Sequence, residues 1–270
     1  MPGARPLVCV NGGLIYPHGI LWPALSPLGH KRQLVFYDQR GRGETQGEDE
    51  EGRGNRVTGP LAARIEHDAD DLVRLRITLG FKDWDVLGHS WGAGIAMLAA
   101  ERDREGTHRL VVVDGVGPTS SWMVGLHGRA LARLGPAERA VLQRLDPDAL
   151  TVPDPAIHSA YSRAIYPAWF AHPDLARSFP LSRSESPTGA LVASRLHRDG
   201  YDWRRHLRAI PARTIVVHGE HDLILCATSH ELCSLIPHAR LELIPDCGHM
   251  PFWEAPETFF NAVDSFLASP

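Results

Sequence analysis

Three residue types that together perform acyl transfer stand far apart in this 270-residue chain. The first is a serine in Gly88-His89-Ser90-Trp91-Gly92, which follows the apolar run Trp84 to Leu87 and leads into a helical stretch, Ala93 to Arg104. A strand-to-helix turn this tight crowds the backbone at the serine. Small residues at 88 and 92 relieve the crowding, Gly94 extends the small face, and the hydroxyl is pushed out of the sheet. A serine hydroxyl alone is a weak nucleophile and needs a base, itself oriented by a carboxylate.

The base with the best setting is His249, in Pro245-Asp246-Cys247-Gly248-His249-Met250, after the last strand-like run and before the final helix. The other histidines read as structural. His89 adjoins the serine but is expected to point away; His218 and His221 sit near enough to crowd the site; His158, His172 and His197 are expected at the surface. Two carboxylates compete to orient the base. Asp222 follows the strand-like Thr214 to Val217, projected by a turn at Gly219, and is preferred; Asp114 follows Leu110 to Val113; Glu220 is a weaker third. Both aspartates lie at strand C-terminal ends, where ligands sit in open α/β sheets. Donors for a developing oxyanion are expected from the backbone N–H of Trp91 and from Asn11-Gly12-Gly13-Leu14, with Gly13 preferred and Leu14 the register alternative.

These residues need a frame. Short apolar runs at Leu7 to Val10, Leu34 to Tyr37, Trp84 to Leu87, Leu110 to Val113, Thr214 to Val217 and Leu241 to Ile244 read as strands covered on both faces, as in a parallel sheet. Helical stretches at Leu61 to Leu79, Ala93 to Arg104 and Pro256 to Leu267 alternate with them, which predicts an α/β fold. In the first helix Ile65, Leu72, Leu75 and Leu79 form the packing side, and Glu66, Asp68, Asp70 and Arg74 read as solvated. Gly41 to Pro60, with its acidic run Glu48 to Glu51, reads as a solvated loop. Pro118 to Leu207 breaks the alternation and reads as a proline-rich helical insert, so the expected organisation is a core of 1–117 and 208–270 with a subdomain at 118–207. Among the insert's aromatics, Trp122, Tyr166, Trp169 and Phe170 are candidates for an apolar pocket wall.

Composition narrows the function. Lys plus Arg number 28 against 32 Asp plus Glu, a net charge of −4, and the Arg residues are interleaved with acids, which argues against a nucleic-acid partner. No apolar run reaches the roughly 18 residues a membrane span needs, and Met1 to Leu7 carries no signal-peptide pattern, so the expectation is a cytoplasmic protein with no membrane partner. Cys9, Cys226, Cys233 and Cys247 lack metal-binding spacing, and no metal or organic cofactor is expected.

Taken together, the elbow Gly88 to Gly92, the acid loop His218 to Asp222 and the Cys247-Gly248-His249 turn resemble those of the α/β-hydrolase superfamily, in the same order, over Leu7 to Leu267. More specifically, the chain resembles its lid-bearing branch of proline iminopeptidase-like and small-molecule esterase-like enzymes. Val35-Phe36-Tyr37-Asp38-Gln39-Arg40-Gly41-Arg42-Gly43 is similar to the same region of the iminopeptidases. The resemblance implies a mostly parallel sheet flanked by helices, a triad of Ser90, Asp222 and His249, and an insert that caps the pocket. Two features depart from the iminopeptidases. Asn11-Gly12-Gly13-Leu14-Ile15 stands where they usually carry His-Gly-Gly-Pro-Gly, and His89 where their elbow usually has Gly. The expected activity is hydrolysis of an ester, lactone or thioester of a small apolar molecule through an acyl-enzyme. The alternatives are an aminopeptidase acting after an N-terminal proline, or a non-hydrolytic biosynthetic enzyme or ligand receptor on the same fold.

Overall fold

A computed structural model describes residues 4–45, 63–179, 181 and 184–269; the acidic run Glu48 to Glu51 lies outside them. Among these residues the strands are β1 (Leu7–Val10), β2 (Leu34–Phe36), β3 (Trp84–His89), β4 (Thr107–Val113), β5 (Arg213–Gly219) and β6 (Arg240–Ile244). They form one sheet in the order β2-β1-β3-β4-β5-β6, with every neighbouring pair parallel. The helices are α1 (Ile65–Thr78), α2 (Trp91–Arg102), α3 (Leu126–Arg133), α4 (Pro136–Leu142), α5 (Pro155–Ile165), α6 (Pro187–Asp199), α7 (Arg204–Leu207), α8 (Cys226–Leu235), α9 (Pro251–Glu254) and α10 (Pro256–Ala268).

The central strands carry unbroken apolar runs, as at Leu110–Val113 and Ile215–Val217, because successive side chains enter different cores. Val8 and Val10 of β1 join Val86, Val112 and Val216 beneath α1, α2 and α8. Leu7 and Cys9 join Leu87, Val111 and Val217 beneath α10. Period-2 geometry therefore sends alternate residues of these runs into opposite cores. The edge strand β6 is buried only at Ile244.

Helix α1 departs from its expected pattern. Leu79, just past its end, is 45% exposed, whereas Asp68 is buried. Its carboxylate takes two hydrogen bonds from Arg42, at 2.9 and 3.0 Å, which is why a charge is tolerated inside the fold.

Between β4 and β5 the chain is helical: α3 to α7 lie there with short 3-10 turns, and no strand occurs among the described residues. This insertion has a small core of its own, in which Ala130, Leu134, Leu142, Tyr161 and Ile165 pack together with Leu223. Trp169 packs against all three cores.

The strand order reverses at β1, which has β2 on one side and β3 on the other. A crevice opens at such a point outside the strand C-termini. Here it lies between the Asn11-Gly12-Gly13 turn leaving β1 and the Ser90 turn leaving β3.

Candidate active site

Ser90 sits between β3 and α2 with φ 57° and ψ −124°, a conformation that non-glycine residues rarely adopt. Both flanking glycines are sterically required. A Cβ on Gly88 would lie 2.4 Å from the Gly92 carbonyl oxygen, and one on Gly92 would lie 2.1 Å from that of Val10. Gly12 allows the other side of the crevice to close in, since a Cβ there would come within 2.6 Å of the Ser90 Cβ.

His249 lies on the loop between β6 and α9 and is fixed from four sides. Its Nδ1–H donates to Asp222 Oδ2 at 2.8 Å, and its backbone N–H to the Trp169 carbonyl at 2.8 Å. Its own carbonyl accepts from His89 Nε2–H at 2.8 Å, and its ring packs 4.3 Å from that of Trp169. His89 is thus structural, but it does not point away: it ties the elbow to the histidine loop and lines the cavity described below. Burial holds the His249 imidazole well below its usual range, so it is neutral near pH 7.

Of the competing carboxylates, Asp222 is the one bonded to His249. Asp114 stands behind it, accepting the Gly219 N–H at 2.8 Å through Oδ1, while Oδ2 is buried without a hydrogen-bond partner. Burial pushes both carboxyls well above the usual carboxylate range, and the charge of Asp222 pushes Asp114 further. Asp222 accepts from His249 and from the Ile224 N–H at 3.2 Å, and Arg133 favours its charge. The neutral form is therefore favoured more strongly at Asp114 than at Asp222. His218, fully buried, donates from Nε2 to the Ile224 carbonyl and accepts the Ser229 hydroxyl at Nδ1, at 2.9 Å each. Asp114, His218 and Asp222 could bring ligand atoms within 4.8 Å of one another, but with both His218 nitrogens engaged the trio is a hydrogen-bond network rather than a metal cradle. His221 is exposed.

The turn after β1 is braced by residues that sequence reading left without a role. Gln39 Nε2 donates to the Asn11 carbonyl at 2.9 Å, Asn11 Nδ2 to the Tyr16 carbonyl at 2.9 Å, and Arg42 Nε to the Leu14 carbonyl at 2.7 Å.

A cavity of about 310 Å³ joins these parts; Gly12, Gly13, Leu14, Ser90, Trp91 and His249 all line it. Of the four aromatics proposed for its wall, Trp122, Tyr166 and Trp169 line it. Phe170 does not: it is fully buried against Tyr166 and Phe179 in the core beneath α10. His158 and His197, expected at the surface, also line the cavity, because α5 and α6 turn them inward; His172 is exposed.

This architecture recurs in known proteins. A 2-hydroxymuconate semialdehyde hydrolase of Pseudomonas putida is 30% identical over 196 residues, covering 70% of this chain and 64% of that relative's length. A proline iminopeptidase of Lactobacillus delbrueckii subsp. bulgaricus is 24% identical over 282 residues, covering 98% and 90%. The fold of a proline iminopeptidase-related protein from Thermus thermophilus superposes with a TM-score of 0.73 at 21% identity, covering 98% and 90%. The family model of the alpha/beta hydrolase fold matches residues 5–256. With that match over nearly its whole length, and with the turns bearing Ser90, Asp222 and His249 following the C-terminal ends of β3, β5 and β6, the chain belongs to the alpha/beta hydrolase family.

Proposed function

We propose that the protein is a serine hydrolase that cleaves an ester, lactone or thioester of a small uncharged molecule, with Ser90, His249 and Asp222 as its triad and residues 118–207 as a cap over the pocket. The observation that carries this reading is the buried Asp222–His249 hydrogen bond in the wall of the cavity that Ser90 also lines.

In this account Ser90 Oγ attacks the substrate carbonyl carbon while its proton passes to His249 Nε2. Asp222 holds Nδ1–H and stabilises the imidazolium. The carbonyl oxygen, now negative, lies against the N–H groups of Trp91 and Gly13, with Leu14 the alternative donor. His249 then protonates the leaving oxygen or sulfur as the carbonyl–heteroatom bond breaks. Water, deprotonated by the same imidazole, attacks the acyl-enzyme, and the returning proton restores Ser90 as the acid departs.

The cavity wall favours an ester over a peptide. An aminopeptidase must hold a free ammonium, and among the described residues no Asp or Glu lines the cavity. Asp174, Asp199 and Asp202 are exposed and paired with Arg177, Arg198 and Arg204, and Glu185 is exposed. Similarity to iminopeptidases over most of the chain supports the competing reading. A panel of an aryl ester and a proline aryl amide, assayed with wild type and Ser90→Ala, decides between them. Ser90-dependent release from the ester is expected; efficient release from the proline amide alone would establish the aminopeptidase. Tight binding of an unmodified ligand without turnover of either would favour a receptor.

A further inference from the structure

The cavity is unusual in what its wall omits and in what it supplies. No Asp, Glu, Lys or Arg lines it among the described residues, yet five histidines do. His249 and His89 are engaged at the sheet edge. His127, His158 and His197 come instead from α3, α5 and α6.

Backbone carbonyls fix the tautomers of two of them. His158 Nε2–H donates to the Val152 carbonyl at 3.0 Å, and His197 Nδ1–H donates to that of Ala193 at 2.8 Å. A neutral imidazole that donates from one nitrogen presents a lone pair at the other. His158 Nδ1 and His197 Nε2 are thus acceptors, on rings whose centroids lie 6.5 Å apart. Burial pushes both imidazoles below their usual range, which keeps them neutral.

Ligand classes can be sorted against this wall. A carboxylate finds no cation and meets two lone pairs. An ammonium finds no anion. A plain alkyl chain leaves both acceptors desolvated and unbonded, a cost comparable to a lost hydrogen bond for each. A hydroxyl donates to an imidazole lone pair, carries no charge and suits the apolar remainder formed by Leu126, Leu150 and Ile165.

We propose that His158 and His197 form a recognition subsite for a neutral hydroxyl group, so that the substrate is an uncharged, hydroxyl-bearing ester, lactone or thioester. The substrate chemistry rests on the hydrolase reading above; the subsite itself does not.

The test is a panel of esters in which the acyl or the alcohol arm, roughly four to eight carbons long to suit a small cavity, ends in methyl, hydroxyl, carboxylate or ammonium. On at least one arm, wild type should show a kcat/KM for the hydroxyl member about tenfold above its methyl match, with both ionic members below the hydroxyl one. In His158→Phe and in His197→Phe the hydroxyl-to-methyl ratio should fall to within about twofold of unity. The ratio is taken within each variant, so loss of folded protein does not mimic the effect. Calorimetric binding of the same esters to Ser90→Ala reads the subsite without chemistry. Equal affinities for hydroxyl and methyl members, an ionic member binding best, or an unchanged preference in both histidine variants would overturn the subsite. Hydroxyl-selective binding without Ser90-dependent turnover would instead overturn the hydrolase reading and leave the subsite standing.

Discussion

At the scale of single residues, His249 is useful only while neutral, and burial keeps it so. Its folded-state pKa is depressed, so protonation and loss of the base occur at lower pH than for a free imidazole. The acid limb of kcat/KM, which reports the free enzyme, should therefore lie below about pH 6.5; a limb at or above that value contradicts the account. Asp222 and Asp114 differ in the same way. Asp222→Asn removes the acceptor of His249 Nδ1–H and is expected to lower kcat by about 10⁴-fold, the size seen when a triad acid is neutralised. Asp114 accepts the Gly219 N–H whereas Asp222 bonds His249, so Asp114→Asn should stay within about an order of magnitude of wild type, and a loss equal to that of Asp222→Asn would contradict this division of roles. Sequence reading reached the elbow and both aspartates because backbone crowding at Ser90 admits only small neighbours, and strand ends are marked by where the apolar runs stop. It ranked Asp222 above Asp114 from the turn at Gly219 but kept both, because which of them reaches His249 depends on a side-chain direction that a linear pattern does not encode. The same limit explains Trp169 and Phe170, adjacent residues of which one lines the cavity and the other lies in the core.

At the scale of elements, the turn after β1 is held by a strut that begins in α1. Asp68 fixes Arg42, and Arg42 holds the Leu14 carbonyl next to Gly13. Both side chains are essentially inaccessible, at 1% and 0%, so removing one leaves a bare buried charge. Arg42→Met should cost about 3–5 kcal/mol in denaturant unfolding, as is typical when one partner of a buried pair is lost. Ester turnover by the remaining folded protein should fall as well, and a cost below about 1 kcal/mol would remove the strut from the account. Periodicity could not reveal this pair, since a charged residue on a helix reads as solvated unless its distant partner is known. The same applies to His158 and His197, whose inward direction is set by how α5 and α6 pack rather than by their neighbours in sequence. The short helices and 3-10 turns of the insertion carry too few turns for a clear apolar stripe; its helical character was legible mainly from its prolines and its lack of strand-like runs.

At the scale of the whole molecule, three hydrophobic cores meet at Trp169, whose carbonyl accepts the His249 N–H and whose ring packs on the His249 ring. The insertion is therefore mechanically continuous with the base. Trp169 is only half-buried and lines the cavity, so Trp169→Ala should destabilise the fold by less than the ~3–5 kcal/mol of a fully buried aromatic, and should lower kcat beyond what the folded fraction explains. Trp169→Phe should restore most of both; full activity in the alanine variant would uncouple insertion and site. The α/β class and the strand positions were legible throughout because central strands covered on both faces must be apolar. The joint at Trp169 was not, because it is made by residues from three separate regions. The most direct test of the central claim is intact-mass and peptide mapping after reaction with a serine-reactive fluorophosphonate. A single adduct on Ser90, forming at least about 10³-fold more slowly in His249→Ala, is the predicted result. Labelling at another residue, or labelling of Ser90 at an undiminished rate without His249, would contradict it.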